Sequence, residues 1–171
     1  ITLSKDGDIF ATGISTFGGA VNIPSASATI LNAGKTGIAF TDANVKVGNT
    51  ALDSLTTGTN NTAVGHNALT ANTTGTQNTA VGSNALATNT TATGNTALGY
   101  FSLTSENTGA SNTGVGWKSL ANQQGGSSNT AIGYNSMFTN TTGGSNVAVG
   151  YAALDANTTG SQNVALGANA L

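Results

Sequence analysis

The chain has no cysteine, no arginine and a single proline in 171 residues. Without cysteine there is no disulfide framework and no thiolate metal site, although a location outside the cell stays open. Charge is almost as scarce, at 6% of residues against roughly 25% in ordinary globular domains. Its four cations, Lys5, Lys35, Lys46 and Lys118, leave a net charge of −2. Phosphate recognition needs clustered Lys and Arg, so nucleic acid is not an expected partner. No apolar run approaches the roughly 20 residues that cross a bilayer, and membrane insertion is not expected either.

What the chain does have is Asn, Thr and Ser spaced evenly among Val, Leu and Ala, with 24 glycines. NTAVGHNALTANTTGTQ at 61–77 is followed at once by NTAVGSNALATNTTATG. Aligned on Asn-(Thr/Val)-x-(Val/Leu/Ile)-Gly, the repeats begin at Asn44, Asn61, Asn78, Asn95, Asn112, Asn129, Asn146 and Asn163, always 17 residues apart. A fixed period without slippage marks a solenoid, in which each repeat is a coil stacked on the one before. Helical solenoids need about 33 residues per unit, so a 17-residue unit calls for short strands and turns.

Numbered from the asparagine, positions two to four alternate as a strand does. Position five is glycine in all eight repeats, from Gly48 to Gly167, which implies a corner with positive φ or a close backbone approach. Position nine is leucine, or Met137 once, and Asn-Thr-Thr-Gly at 72–75, 140–143 and 157–160 reads as a turn. The expected coil is therefore strand, corner, short strand, turn, in an all-β parallel β-solenoid. Equivalent residues then stack at about 4.8 Å. The position-one asparagines form an amide ladder. Val64, Val81, Leu98, Val115, Ile132 and Val149 are expected to form a buried apolar ladder beside Leu69, Leu86, Leu103, Leu120, Met137 and Leu154.

Two large apolar side chains per coil are too few to offset the ordering of 17 residues. A homo-oligomer is therefore expected, either a trimer or a filament, with the small residues Ala63, Ala68, Ala80 and Ala85 at the contacts. Residues 1–43 lie outside the register and carry β-prone runs at 8–10, 20–23, 29–31 and 38–40. They read as a strand-rich N-terminal cap or connector to the solenoid at 44–171. The start at Ile1 and the end at Leu171 in mid-repeat read as a piece of a longer polypeptide.

Residues 44–171 resemble the head repeats of trimeric autotransporter adhesins of the YadA type, through the Asn-Thr-Ala-Val-Gly strand and corner. NTAVGHNALTANTTG together with ATGISTFGGAVNI resembles fibre proteins of tailed phages from aquatic bacteria. The resemblance implies a left-handed β-roll, a homotrimer, and an extracellular fibre serving surface attachment. The repeat here is longer than the usual adhesin repeat, and the stretch contains no coiled-coil stalk, anchor or C-terminal chaperone domain. A self-assembling filament subunit joined head to tail, carrying glycans, is the alternative function.

Position six is the variable column, and four successive coils place Tyr100, Trp117, Tyr134 and Tyr151 there, with Phe101 and Phe138 nearby. Rings exposed in a row suit the faces of sugars, so a cell-surface glycan is the candidate ligand. The competing reading is a buried ladder of rings that only packs. Asn60, Asn72, Asn89, Asn140 and Asn157 match Asn-x-Ser/Thr and are candidates for N-linked glycan, against the plainer reading of a good turn. The doubled threonines (Thr73-Thr74, Thr90-Thr91, Thr141-Thr142, Thr158-Thr159) are adjacent rather than two apart, which is wrong for an ice-binding strand face. Catalysis finds no support: His66 sits at a column otherwise filled by Asn49, Ser83 and Tyr100, and Asp53 and Asp155 lie too many coils apart to pair. Acids are too sparse for a calcium cage, so neither metal nor cofactor nor enzyme activity is expected. A polysaccharide-cleaving spike would need clustered carboxylates that the chain lacks.

Overall fold

In a computed structural model of the protein, the described residues are 2–3, 9–10 and 43–171. The chain divides into two compact units, Ile1–Ala39 and Phe40–Leu171. In the first, β1 (Thr2–Leu3) and β2 (Ile9–Phe10) pair antiparallel, Thr2 opposite Phe10. β2 falls on the run expected at 8–10. The runs at 20–23, 29–31 and 38–40, and the capping role itself, lie outside the described residues.

The second unit is a parallel β-solenoid. Its eight strands are β3 (Val45–Val47), β4 (Thr62–Val64), β5 (Thr79–Val81), β6 (Thr96–Leu98), β7 (Thr113–Val115), β8 (Thr130–Ile132), β9 (Val147–Val149) and β10 (Val164–Leu166). They pair in sequence order as one sheet, each residue opposite its equivalent in the next coil, as Thr62 is opposite Thr79. The corner glycines carry out both tasks expected of them. Gly116 has φ +126°, and a Cβ there would lie 2.5 Å from the carbonyl oxygen of Gly133 in the next coil.

After the corner, no second strand forms. Positions seven, nine and seventeen are left-handed, as at Asn67 (φ 56°), Leu69 (φ 51°) and Gln77 (φ 59°). Such a conformation costs a non-glycine residue on the order of 1 kcal/mol or more, and tertiary contacts must offset it. At Leu69 they do: its N–H donates to the Ala85 carbonyl at 3.0 Å, and its side chain is fully buried.

The interior differs from the one expected in which face of the strand turns inward. Position three is buried (Ala63, Ala80, Ala97, Ala131, Ala148), whereas position four faces out, with Leu98 48% and Ile132 40% exposed. Val64, Val81, Val115 and Val149 are half-buried on that outer face. The expected apolar ladder at position four is therefore an exterior row. Ala63, Ala68, Ala80 and Ala85, expected at contacts between chains, are wholly inside the coil. The reason is space. The position-nine side chains and two columns of buried amides fill the lumen, and only a methyl group fits at position three. Ser102, Ser119 and Ser136 replace alanine at position eight; the Ser102 and Ser119 hydroxyls are 3.0 Å apart beside Gly114 at position three, whereas Ser136 Oγ donates to the carbonyl of Ala148, which keeps its methyl group. A Cβ on Gly114 would stand 2.6 Å from Ser102 Oγ.

The position-one asparagines tie the coils together. Asn95 Oδ1 accepts the backbone N–H of Asn112 at 2.8 Å, and Asn95 Nδ2 donates to the Gly109 carbonyl at 2.8 Å. The same pair of bonds recurs at Asn61, Asn78, Asn112, Asn129 and Asn146. One amide thus closes the turn of its own coil and docks the start of the next, and each extra coil repeats the arrangement.

Gly116→Val should lower the unfolding free energy by more than about 1 kcal/mol, because it puts a β-branched residue at positive φ against backbone. Chemical denaturation followed by circular dichroism measures this. A variant as stable as the parent would contradict the corner described here.

Candidate functional site

The backbone of the solenoid is committed to ladders, so recognition must come from side chains that change from coil to coil. Position six supplies them. It follows the corner glycine, and its carbonyl accepts the position-seven N–H of the next coil, as Tyr100 does from Lys118 at 3.0 Å and Trp117 from Asn135 at 3.0 Å. The backbone is thereby held while the side chain stands outside the coil. Tyr100 is 48% exposed, Tyr134 43% and Tyr151 55%, and Trp117 is half-buried.

The rings are brought together, but not as a row of open faces. Trp117 and Tyr134 stack with centroids 4.6 Å apart and planes 7° from parallel; Tyr134 and Tyr151 stack at 5.2 Å and 6°. These spacings are close to the strand separation, about 4.8 Å, so flat rings in adjacent coils close on one another. What they present outward is a pile of ring edges. Tyr100 stands apart from the pile and meets Phe101 edge-on at 4.5 Å and 63°. Lys118 Nζ lies 4.3 Å from the Trp117 ring centroid and 5.9 Å from that of Phe138, covering more of the indole with a cation–π contact. At the other end of the pile the next residue in the column is Ala168, which carries no ring to cover Tyr151. The site is a short stack of edges flanked by one ammonium group, with one phenol face uncovered by any neighbouring ring.

Of the candidate sequons, Asn60 is exposed. Asn72, Asn89 and Asn140 are fully buried, and their Nδ2 atoms donate inward, Asn72 to the Gly75 carbonyl at 3.1 Å and Asn140 to that of Gly143 at 2.9 Å. Asn157 is half-buried and donates likewise, to Asn140 Oδ1 at 2.8 Å and the Gly160 carbonyl at 3.0 Å. An N-linked sugar needs that nitrogen free at the surface, so the expected column of glycans on these four is replaced by a column of core amides. Two of the doublets turn the hydroxyl of their first threonine to the backbone of the next coil: Thr73 Oγ1 donates to the Thr90 carbonyl at 3.1 Å and Thr141 Oγ1 to that of Thr158 at 3.0 Å.

The titratable groups are scattered. His66 is exposed, and Asp53 meets Lys46 at 3.9 Å in a solvent-exposed pair of the kind that contributes about 0–1 kcal/mol. Among the described residues no three His, Cys, Asp or Glu side chains gather where a metal could sit. One group escaped the sequence reading. Glu106 replaces asparagine at position twelve and is fully buried. Its signal was available: it is the acid that breaks a column of Asn and Gln.

No family model, no curated protein and no solved structure matches the chain.

Proposed function

We propose that the chain is a non-enzymatic structural segment of an extracellular fibre, of the adhesin or phage tail-fibre kind, whose position-six column touches glycan on a cell surface. The observation that supports this most is the exposed aromatic stack on an otherwise uniform solenoid. Tyr151 offers a face for an apolar sugar surface, the Tyr134 and Trp117 edges line the approach, and Lys118 adds a cation for an acidic or hydroxyl-rich sugar. The expectation of four open ring platforms is replaced by one face and a wall of edges.

Assembly with copies of itself belongs to this reading. Inside a single coil the large fully buried apolar side chain is the position-nine leucine or methionine alone, with two small residues beside it. Outside runs the position-four row, with Val47, Leu98 and Ile132 exposed and valines between them. A second copy packed on that row would bury what the single coil cannot.

Two measurements test the proposal. On an array of cell-surface polysaccharides, Tyr151→Ala should weaken binding about threefold to tenfold, since one ring contact contributes on the order of 0.5–1.5 kcal/mol. Binding that ignores this change, or no glycan binding by the parent chain, overturns the glycan role. In sedimentation at micromolar concentration the parent should be a homo-oligomer, and Ile132→Asp should dissociate it. A folded monomer of 16.6 kDa would remove the assembly argument, and filaments of unlimited length would favour head-to-tail joining instead.

A further inference from the structure

Position twelve forms a second buried column, in which Asn72, Asn89, Glu106, Gln123 and Asn140 are all fully buried. Its side chains are linked along the axis in one direction. Asn89 Nδ2 donates to Asn72 Oδ1 at 2.9 Å, Asn140 Nδ2 donates to Gln123 Oε1, and Asn157 Nδ2 donates to Asn140 Oδ1 at 2.8 Å. Each link runs from the nitrogen of one coil to the side-chain oxygen of the coil before it.

Glu106 interrupts the series. Its Oε1 accepts the backbone N–H groups of Thr108 at 3.1 Å and Gly109 at 2.5 Å, and its Oε2 accepts Asn112 Nδ2 at 3.3 Å. On either side a buried polar atom is left without a partner: Asn89 Oδ1 in the preceding coil and Gln123 Nε2 in the following one. These are the two atoms that an amide at 106 would join. Gln123 needs an acceptor, which a carboxyl group offers in either state. Asn89 Oδ1 needs a donor, which a carboxylate lacks and a carboxylic acid has. An ionised Glu106 would instead set its charge toward a buried carbonyl oxygen, and an unpaired buried polar group costs about 1–3 kcal/mol.

We propose that Glu106 is a proton-binding link in the solenoid, holding its coil to the preceding one as a neutral acid whose O–H donates to Asn89 Oδ1, and releasing that link when the proton leaves. The carboxyl is well placed to keep its proton. Burial drives its pKa up from 4.5 to about 7, against the opposing pull of the N–H groups of Gly109, Thr108 and Asn107. The groups facing it are neutral: Thr108 and Gly109 from its own coil, Asn89 from the coil before, and Asn112 and Gln123 from the coil after. The one cation on these three coils, Lys118, lies over the Trp117 and Phe138 rings. Because the folded value lies above the unfolded one, the stabilisation is complete below about 4.5 and is lost as pH rises through about 7.

Glu106 is the sole glutamate in the chain, so its carboxyl carbon can be labelled and observed alone. In the 171-residue chain the labelled carbon should titrate near neutral pH, and the urea midpoint should fall as pH rises between about 5 and 8. Glu106→Gln supplies an amide donor at every pH, as Gln123 does. It should flatten that dependence and match or exceed the parent at the alkaline end. Glu106→Asn, the commoner residue of the column, is the second variant and should be equally flat. A carboxyl that titrates in the ordinary range overturns the proposal, as does a pH dependence that survives in either variant.

Discussion

At least four hydrogen bonds converge on each interior position-one asparagine. At Asn112 the backbone N–H donates to Asn95 Oδ1 at 2.8 Å and the carbonyl accepts the N–H of Thr96 at 2.8 Å. The side chain accepts the N–H of Asn129 at 2.9 Å and donates to the Gly126 carbonyl at 2.8 Å. The turn of one coil, its strand start and the next strand start are thereby held by one residue. Other features follow from this amide. It needs an identical neighbour 17 residues away, so the period cannot slip. It fills part of the lumen, so the interior has room for one leucine and two small residues per coil. It satisfies buried backbone without charge, which is why a chain so poor in charge and large apolar residues can still order itself.

Much of this was legible in the residues. The period, the asparagine ladder and the corner glycines need no coordinates, because an exact repeat under parallel stacking leaves one register. Which face of Thr-Ala-Val turned inward was not legible. Alternation defines two faces without saying which is inside, and the assumption that the bulkier side chain goes in fails when amides already occupy the lumen. The contact that excludes a Cβ at Gly114, 2.6 Å from Ser102 Oγ, is a property of the stack. The left-handed leucines were hidden for another reason. Leucine carries no conformational preference for positive φ, and the ladder hydrogen bond that holds Leu69 there is a property of the stack.

The same stacking rule shapes the surface. Repetition at the strand spacing brings flat side chains face to face, so Trp117, Tyr134 and Tyr151 were predictable as a column and also as a closed one. It brings like amides within hydrogen-bond reach, which consumes the sequon nitrogens of Asn72, Asn89 and Asn140. And it makes any departure conspicuous. A single Glu106 in an amide column leaves an orphan on each side, and a single Ala168 after Tyr151 leaves that ring face without a stacking partner. In a repeat protein the function is written in such departures, because the repeated residues are committed to holding the coils together.

The stability of Asn95→Ala against that of Thr62→Ala tests the account most directly. Both changes remove a polar side chain, one from the ladder and one from the outer face of a strand. Losing Asn95 strands the Asn112 N–H and the Gly109 carbonyl in the interior and should lower the unfolding free energy by about 3 kcal/mol, at roughly 1–3 kcal/mol per buried unpaired group. The threonine change should stay within about 0.5 kcal/mol. If Asn95→Ala unfolds at the same denaturant concentration as Thr62→Ala, the asparagine ladder is not what holds the coils together.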